Sequence, residues 1–139
     1  MTIEIHHITD ANKTLLSNVA EDVFDYAIKQ KHLADYVSHS NHRLIVATSE
    51  RIVVGQIRGT LHFQPDEPAQ LYIDNLGVTP EFKRQGVASD LINALKGWGK
   101  AQGCTSFWVA TELDNDEGNQ FYKATGLKGE KMFFYEGDL

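Results

Sequence analysis

The sequence predicts a mixed α/β domain in which helices flank a central, mostly antiparallel sheet. Two runs rich in Val, Ile and Leu are separated only by residues 48–51, which is typical of an antiparallel hairpin. An amphipathic segment at 87–102 leads into an apolar run at 105–111, which indicates a helix followed by a parallel strand. A chain of 139 residues can bury a core of its own, so we expect one domain, residues 1–139.

The first half of the chain predicts a strand, two helices and the hairpin, in that order. Isoleucines alternate with polar residues over 3–8, as in a half-buried strand. Over 14–37 the apolar residues recur with the helical period, and a break near 30–32 divides this segment into two helices. The hairpin strands follow at 43–49 and 51–63, because both runs are dense in β-branched residues.

The second half predicts the parallel crossover and the last two elements. Residues 70–78 resume strand character before a Thr-Pro-Glu sequence ends it. Over 87–102 an apolar stripe has the helical period, and a glycine follows the last turn. The run at 105–111 is nearly continuous in apolar residues, as in a strand buried on both faces. A helix at 118–125 and an aromatic strand at 132–135 complete the order β-α-α-β-β-β-α-β-α-β.

Composition and charge exclude several classes of protein. With 42% hydrophobic and 23% charged residues, the chain is neither fibrous nor disordered. No apolar run is long enough to span a bilayer, and the N-terminus lacks a secretory signal, so we expect a cytoplasmic protein with no membrane partner. The net charge of −6 argues against nucleic acid as a partner and would attract small polycations.

The sequence indicates neither a disulfide nor a metal site. Cys104 is the lone cysteine, and we expect it to be a small buried hydrophobe. His6 and His7 would point to opposite faces of a strand, which argues against a joint metal or catalytic role. Trp98 and Trp108 are expected to anchor a core or an interface.

A basic turn at 83–86 leads from a strand into a helix that begins at a glycine. The unpaired N–H groups and the dipole of a helix N-terminus attract anions, and Gly86 would let the backbone come close to a phosphate. Lys83 and Arg84 add positive charge. Neither the Walker loop nor the three-glycine dinucleotide pattern is present. The pattern is consistent with a phosphate-binding helix start, and the alternative is a basic turn that is merely solvated.

These residues resemble the signature of the GNAT superfamily of acetyl-CoA-dependent N-acetyltransferases, Arg/Gln-x-x-Gly-x-Gly/Ala. Here it reads Lys83-Arg84-Gln85-Gly86-Val87-Ala88, with Lys in the first position. A second family motif, Asn-x-x-Ala-x-x-Phe/Leu-Tyr-x-x-x-Gly-Phe/Leu, is similar to residues 115–127, with Gly118 in place of Ala. The resemblance covers residues 71–135. It implies the GNAT fold and acetyl-CoA as the co-substrate, with no metal.

The resemblance also implies which residues hold acetyl-CoA. The strand at 70–78 would splay from the next strand, so that the backbone groups of Leu76 and Val78 bind pantetheine and the acetyl oxygen. Backbone donors aimed at a developing oxyanion lower the barrier to acyl transfer. The implied cofactor-binding residues are Leu76, Val78, Lys83, Arg84, Gln85, Gly86, Val87, Ala88, Ser89, Asn115 and Phe121.

Two catalytic residues are implied in the same way. Tyr122 stands at the position of the family's general acid, where a phenol can protonate the CoA thiolate. Asp74, which strand alternation would place on the same face as Tyr72 and Leu76, is the candidate base for the amine. The alternatives are that Tyr122 packs in the core and that Asp74 only attracts a cationic substrate.

Further polar residues are weaker candidates for the base or for contacts with the acceptor. The alternatives to Asp74 as the base are Asn75, Glu112 and His62. The expected substrate-binding residues are Asp74, Asn75 and Glu112. Glu112 opens an acidic stretch at 112–117, which would lie near the site if the resemblance holds and would otherwise be a solvated loop.

Within the superfamily, residues 72–78, 84–88 and 91–96 look most similar to the type I aminoglycoside 3-N-acetyltransferases. The sequence departs from that subgroup at Asn75 and Asn115, where the subgroup carries acidic residues. We predict direct transfer of an acetyl group from acetyl-CoA to a primary amine, above all a small cationic amine such as an aminoglycoside or a polyamine.

Three alternatives to that function stay open. They are a catalytically silent acetyl-CoA sensor, an enzyme that acetylates a protein amine, and an interaction module that binds no cofactor. The aromatic segment at 132–135 leaves a homodimer open as well.

Overall fold

A five-stranded sheet organises the first of the two compact units into which the structure divides. The computed structural model describes residues 2–139, with one unit ending at Val109 and the other running from Ala110 to Leu139. The elements of the first unit are β1 (Glu4–His7), a 3₁₀ helix (Lys13–Ser17), α1 (Gln30–Ser38), β2 (His42–Ser49), β3 (Ile52–His62), β4 (Gln70–Val78), a second 3₁₀ helix (Pro80–Phe82), α2 (Val87–Ala101) and β5 (Ser106–Val109).

The strands lie side by side in chain order, from β1 to β5. Neighbouring strands are antiparallel up to β4, whereas β4 and β5 are parallel. The parallel pair requires a crossover connection, and α2 provides it. The mixed, mostly antiparallel sheet is therefore confirmed, and β4 occupies the predicted residues 70–78.

Both faces of the sheet are covered by apolar side chains. On one face, Leu44 and Val46 of β2 belong to a buried cluster that includes Leu33 of α1, and Tyr36 of α1 packs against the same cluster. On the other face, α2 lies against the middle strands and buries Leu91, four other side chains and the backbone of Gly99. Successive side chains of a strand point to opposite faces, so each strand contributes residues both to the α1 face and to the α2 face.

The segment at 14–37, predicted as two helices, is helical only at its two ends. Residues 18–29 contain no helix, and α1 begins at Gln30, where a break was predicted. The chain instead forms backbone hydrogen bonds with β3, where Ala20 N donates to Val53 O and Val53 N donates to Asn18 O. Val23 is buried without being helical. Apolar spacing predicted a helix here because burial alone gives the same pattern.

The bounds and the burial predicted for the last strand of the sheet were wrong, as was the burial predicted for Cys104 just before it. The predicted strand at 105–111 is shorter, at Ser106–Val109, and its side chains are half-buried or exposed rather than buried on both faces. The reason is that β5 is an edge strand. Cys104 is partly exposed rather than buried. Trp98 is buried in the core, and Trp108, for which a core or an interface was predicted, is 44% exposed.

The second unit contains one helix, α3 (Asp116–Ala124), which begins two residues earlier than predicted. The predicted strand at 132–135 is absent, since residues 128–139 form no regular structure. Its aromatic pattern was typical of a strand, yet the side chains from Met132 to Tyr135 are 82–89% exposed. An exposed segment without a neighbouring strand has no partner for its backbone, and residue type alone does not supply one.

Candidate active site

The carboxyl end of β4 has a strand partner on one side only. Pairing between β4 and β5 ends at Ile73 and Val109, whereas pairing with β3 continues to Val78. Pairing with β5 therefore stops before the last five residues of β4. Among the described residues, the β5-side edge of 74–78, which includes Leu76 and Val78, carries no strand partner. Backbone groups along such an edge are available to a ligand.

The turn that follows β4 is fixed to the unit by two buried residues. Thr79 is buried and its N–H donates to the Val54 carbonyl over 2.8 Å. Phe82, also buried, anchors the short 3₁₀ helix. Farther on, Gln85 Nε2 donates to the Glu81 carbonyl over 3.0 Å. The basic residues therefore stand on a constrained turn rather than on a free loop.

Helix α2 begins immediately after Gly86, with φ of +83° at that residue. This left-handed conformation favours glycine over any residue with a Cβ. No side chain caps the helix, and its first turn contains the acidic residue Asp90. Lys83, Arg84 and Ser89 are exposed around it, while Val87 is buried. An uncapped helix start beside two cations is the arrangement that the sequence predicted for binding a phosphate.

Gly77 of β4 is needed because the loop before α1 crosses it closely. A Cβ at this position would collide with the Val23 carbonyl. That carbonyl accepts a hydrogen bond from Gln56 Nε2 of β3 over 3.1 Å. The same amide nitrogen also donates to Asn75 Oδ1. Asn75, predicted to contact the acceptor, is thus tied to the fully buried Gln56.

Asp74 lies on a β-bulge of β4. Arg58 pairs with Asn75 and Gly59 pairs with Ile73, so Asp74 is the extra residue. Its carboxylate is 42% exposed, and Oδ2 lies 3.6 Å from Arg58 Nε. The bulge breaks the alternation that was expected to align Asp74 with Leu76. Leu76 pairs instead with Ile57, one residue before Arg58 and therefore on the opposite face.

Two residues before Asp74 on β4, Tyr72 forms an aromatic pair with Trp108 of β5. Tyr72 pairs with Trp108 across β4 and β5, and their rings stack with centroids 4.2 Å apart. Burial raises the pKa of the Tyr72 phenol, and the charge of Asp74 adds to this effect. His62, the weaker candidate base, is exposed at the far end of β3, opposite Gln70. The register thus separates His62 from Asp74 along the strand.

In the second unit, Asn115 is the N-cap of α3. Its Oδ1 accepts from the Gly118 N–H over 3.1 Å, and its Nδ2 donates to Thr111 Oγ1 over 2.8 Å. A Cβ at position 118 would lie against the side-chain amide of Asn115, so Gly118 leaves room for the capping side chain. Asn119 Nδ2 donates to the Asn115 and Glu112 carbonyls. Asn115 therefore has a structural role beside its predicted contact with the cofactor.

Tyr122 lies in the last turns of α3 and is half-buried, as is its neighbour Phe121. Their rings meet edge to face at 5.3 Å. Burial raises the pKa of the Tyr122 phenol. A tyrosine with a raised pKa keeps its proton at neutral pH, as a general acid must before the leaving group departs. Glu112 is exposed on the loop before α3.

The predicted site residues divide between the two units. Asp74, Asn75, Leu76, Val78 and residues 83–89 belong to the first, and Glu112, Asn115, Phe121 and Tyr122 to the second. Sequence reasoning did not single out Arg58, whose signal was a charged residue inside a strand rich in Val and Ile. Within residues 2–139, no group of three His, Cys, Asp or Glu side chains is arranged to hold a metal ion. None of the helices described is both long and apolar enough to cross a membrane.

Comparisons with known proteins identify the family of the chain. The sequence is 25% identical over 109 residues to an aminoglycoside N(6')-acetyltransferase type 1 of Salmonella typhimurium, covering 78% of this chain and 72% of that protein. Relatives from Acinetobacter baumannii and Klebsiella aerogenes have the same name. The matched relatives are therefore 6'-N-acetyltransferases, and the 3-N subgroup predicted from the sequence is not supported.

Solved structures establish the fold. The structure of AAC(6')-Iy in complex with a bisubstrate analogue, CoA-S-monomethyl-acetylneamine, superposes with a TM-score of 0.83 at 19% identity and covers all of both chains. An aminoglycoside acetyltransferase from a soil metagenomic sample, in complex with trehalose, also gives 0.83 at 21% identity, over 99% of this chain and 97% of that one. The sequence model of the Acetyltransferase (GNAT) family matches residues 5–127. The chain therefore belongs to the GNAT family of acetyl-CoA-dependent N-acetyltransferases.

Proposed function

We propose that this enzyme transfers the acetyl group of acetyl-CoA to the primary amine of a small cationic molecule, directly and without a covalent enzyme intermediate. The observation that carries the proposal is the uncapped start of α2 at Gly86, next to the exposed Lys83 and Arg84. A helix start without a side-chain cap leaves backbone donors for the pyrophosphate of the cofactor. One relative was crystallised in complex with CoA.

The cofactor would lie along two segments of the first unit. The backbone from Gln85 to Ala88 and the hydroxyl of Ser89 would hold the pyrophosphate, with Lys83 and Arg84 balancing its charge. The unpaired edge of β4 at Leu76 and Val78 would bind the pantetheine amides and the thioester oxygen. Phe121 and Asn115 complete the proposed cofactor contacts.

Transfer requires a base for the ammonium proton and an acid for the departing thiolate, and each role has a candidate residue. Asp74 takes a proton from the ammonium group, and the free amine attacks the thioester carbonyl to form a C–N bond. The tetrahedral intermediate collapses as the C–S bond breaks, and Tyr122 protonates the departing thiolate. The nitrogen then loses its second proton, which restores the phenol. The exposed carboxylate of Asp74 and the raised pKa of Tyr122 support these roles.

The acceptor that these features support is an aminoglycoside-like or polyamine-like amine. The matched relatives are named aminoglycoside acetyltransferases, and the chain carries a net charge of −6. An acidic protein concentrates cationic substrates by its field. Asp74, with Asn75 and Glu112, would supply polar contacts to that amine. Cys104 has no role as a nucleophile in direct transfer.

We further propose that two copies pair through residues 132–135. Four large apolar side chains in succession are exposed there. Exposed apolar patches of this kind commonly mark protein interfaces. A dimer in light scattering that becomes a monomer in the variant Phe133→Ser with Phe134→Ser would support this pairing, and a monomeric wild type would exclude it.

Calorimetric titration with acetyl-CoA tests the cofactor site. Gly86→Asp places a side chain and a negative charge at the proposed pyrophosphate position, and we expect an affinity loss of at least about hundredfold. Gly103→Asp is the matched control, because Gly103 also has positive φ, with open space around it, beyond the other end of α2. Equal losses of acetyl-CoA affinity in both variants would indicate a general effect of backbone strain and would contradict a pyrophosphate site at Gly86.

A panel of aminoglycosides and polyamines, assayed by release of the CoA thiol, tests the transfer. Binding of acetyl-CoA with acetylation of at least one amine supports the enzyme. Binding without acetylation of any small or protein amine would instead indicate a sensor. No binding by the folded wild type would leave only an interaction module.

A further inference from the structure

The sheet face covered by α1 carries a group of polar side chains that the proposed mechanism uses only at Asp74. This group consists of Tyr36 from α1, Arg58 from β3 and Asp74 from β4, and we call it the Arg58 cluster. Arg58 pairs with Leu44 across the sheet, and Leu44 belongs to the buried cluster against which Tyr36 packs. Directly paired residues of antiparallel strands share a face, so Arg58 lies on the same side as Tyr36.

Two hydrogen-bond donors in the Arg58 cluster lack acceptors. Tyr36 Oη and Arg58 Nε are both buried and have no hydrogen-bond partner among the described residues. The 3.6 Å between Arg58 Nε and Asp74 Oδ2 is an ion-pair distance and too long for a hydrogen bond. Burial raises the pKa of the Tyr36 phenol, and the charges of Arg58 and Asp74 also act on it. A buried donor without a partner costs free energy that an oxygen acceptor would restore.

The cluster meets solvent at Arg58 and Asp74, while the two unpartnered donor atoms lie beneath this surface. The side chains of Arg58 and Asp74 are 33% and 42% exposed. Beside them, the stacked rings of Tyr72 and Trp108 offer an apolar surface to a carbon skeleton. A small molecule could therefore contact a carboxylate, a guanidinium and an aromatic ring at one place.

We propose that Arg58 and Tyr36 form an oxygen-binding subsite beside Asp74, and that the acceptor amine carries a hydroxyl or carboxylate oxygen a few bonds from its nitrogen. This substrate class rests on the proposed function, in which Asp74 receives the ammonium group. A polyamine offers no oxygen, and its second ammonium group would meet the like charge of Arg58. A guanidinium and a phenol instead donate to an oxygen.

Four amines with the same four-carbon chain test whether the subsite prefers an oxygen or a second ammonium group. They are 4-aminobutan-1-ol, 4-aminobutanoate, putrescine and butylamine, which end in a hydroxyl, a carboxylate, an ammonium and a methyl group. Each is assayed with acetyl-CoA against the wild type, Arg58→Met and Tyr36→Phe. The control variant is Arg51→Met, which makes the same substitution at an exposed position in the turn between β2 and β3. Thermal unfolding confirms that each variant is folded.

We expect the wild type to favour one of the oxygen-bearing amines over putrescine by about tenfold or more in kcat/KM. Arg58→Met and Tyr36→Phe should remove this preference through KM while kcat is largely kept, and Arg51→Met should preserve it. If kcat/KM is higher with 4-aminobutanoate, the group bound at the subsite is a carboxylate. If it is higher with 4-aminobutan-1-ol, that group is a hydroxyl. Equal or better use of putrescine by the wild type, or a preference that survives both substitutions, would overturn the subsite.

Equilibrium binding keeps the subsite separate from the transfer reaction. Binding of the four amines to the protein saturated with CoA, followed by NMR, does not depend on turnover. If neither these amines nor the aminoglycosides and polyamines of the first panel are acetylated, but the oxygen-bearing amines bind best and Arg58→Met weakens their binding, the subsite stands and the transfer proposal fails. If all four bind alike, the subsite is wrong whatever the enzyme acetylates.

Discussion

The two units of this chain differ in what their side chains pack against. The first unit buries side chains on both faces of its sheet, among them Ile45, Ile57 and Leu95, each with almost no exposed surface. In the second unit, every residue from Ala110 to Leu139 is described, and none is buried. Its helix α3 is held by caps and side-chain hydrogen bonds within the unit. Burial therefore stabilises the first unit, whereas local polar contacts define the second.

This difference separates the stabilising residues from the proposed chemistry. The candidate acid Tyr122 lies in the unit without buried residues, and the candidate base Asp74 lies on a bulge at the surface of the unit with a core. Substitutions in the two units should therefore affect different measurements.

The largest expected effect is the loss of stability in Leu91→Ala, with Leu113→Ala as its matched control. Leu91 of α2 has no exposed surface, whereas Leu113 is 71% exposed. Leu91→Ala should lower the free energy of unfolding by about 2–5 kcal/mol, since it leaves a cavity in the core. Leu113→Ala should change it by about 0.5 kcal/mol or less. Urea denaturation measures both, and similar losses would show that the second unit carries a core as well.

Tyr122→Phe should change activity rather than stability. Loss of the proton donor is expected to lower kcat by about hundredfold or more, since general acid catalysis contributes at least that much. The affinity for acetyl-CoA and the midpoint of unfolding should stay unchanged. Tyr135→Phe, at an exposed position of the same unit, is the control. An unchanged turnover and pH profile in Tyr122→Phe would remove this residue from the mechanism.

Asn115→Ala should destabilise α3 locally. The substitution removes the N-cap hydrogen bond to the Gly118 N–H, at a cost of about 1 kcal/mol. We expect faster amide hydrogen exchange in the first turns of α3 with little change in the core strands. Asn115→Asp retains a capping oxygen and should restore protection. Equal exchange in all three proteins would mean that other contacts hold the helix.

The last expected effect, confined to alkaline pH, is a loss of stability that depends on Tyr36. Burial raises the pKa of this phenol in the folded protein above its value in the unfolded chain. Its contribution is complete below about pH 10, where an unfolded tyrosine ionises, and falls at higher pH by at most about 1.4 kcal/mol per pH unit. In denaturant titrations, the free energy of unfolding of Tyr36→Phe should decline less steeply above about pH 10 than that of the wild type. Tyr26→Phe, at an exposed position, should decline like the wild type.

Sequence patterns predicted the elements in which local signals and burial agree. β4 and α2 were found at or within one residue of their predicted ends, because turn signals and glycines mark their boundaries. Residues 18–29 were wrongly predicted as helical, because apolar spacing records which residues are buried and not how their backbone hydrogen bonds are made. The prediction of a strand at 132–135 was wrong for a related reason, since strand-forming residues still require a neighbouring strand.

The sequence by itself determined the family motifs at 83–88 and 115–127, and with them the fold and the use of acetyl-CoA. Only the tertiary structure decided that Asp74 lies on a bulge, because a bulge depends on the register between two strands rather than on either sequence. Only the tertiary structure also shows that Asp74 lies beside Arg58, sixteen residues away in the chain. The same holds for the two buried donors without acceptors, Tyr36 Oη and Arg58 Nε. Such contacts follow from strand pairing and helix packing, which bring together residues that no local pattern connects.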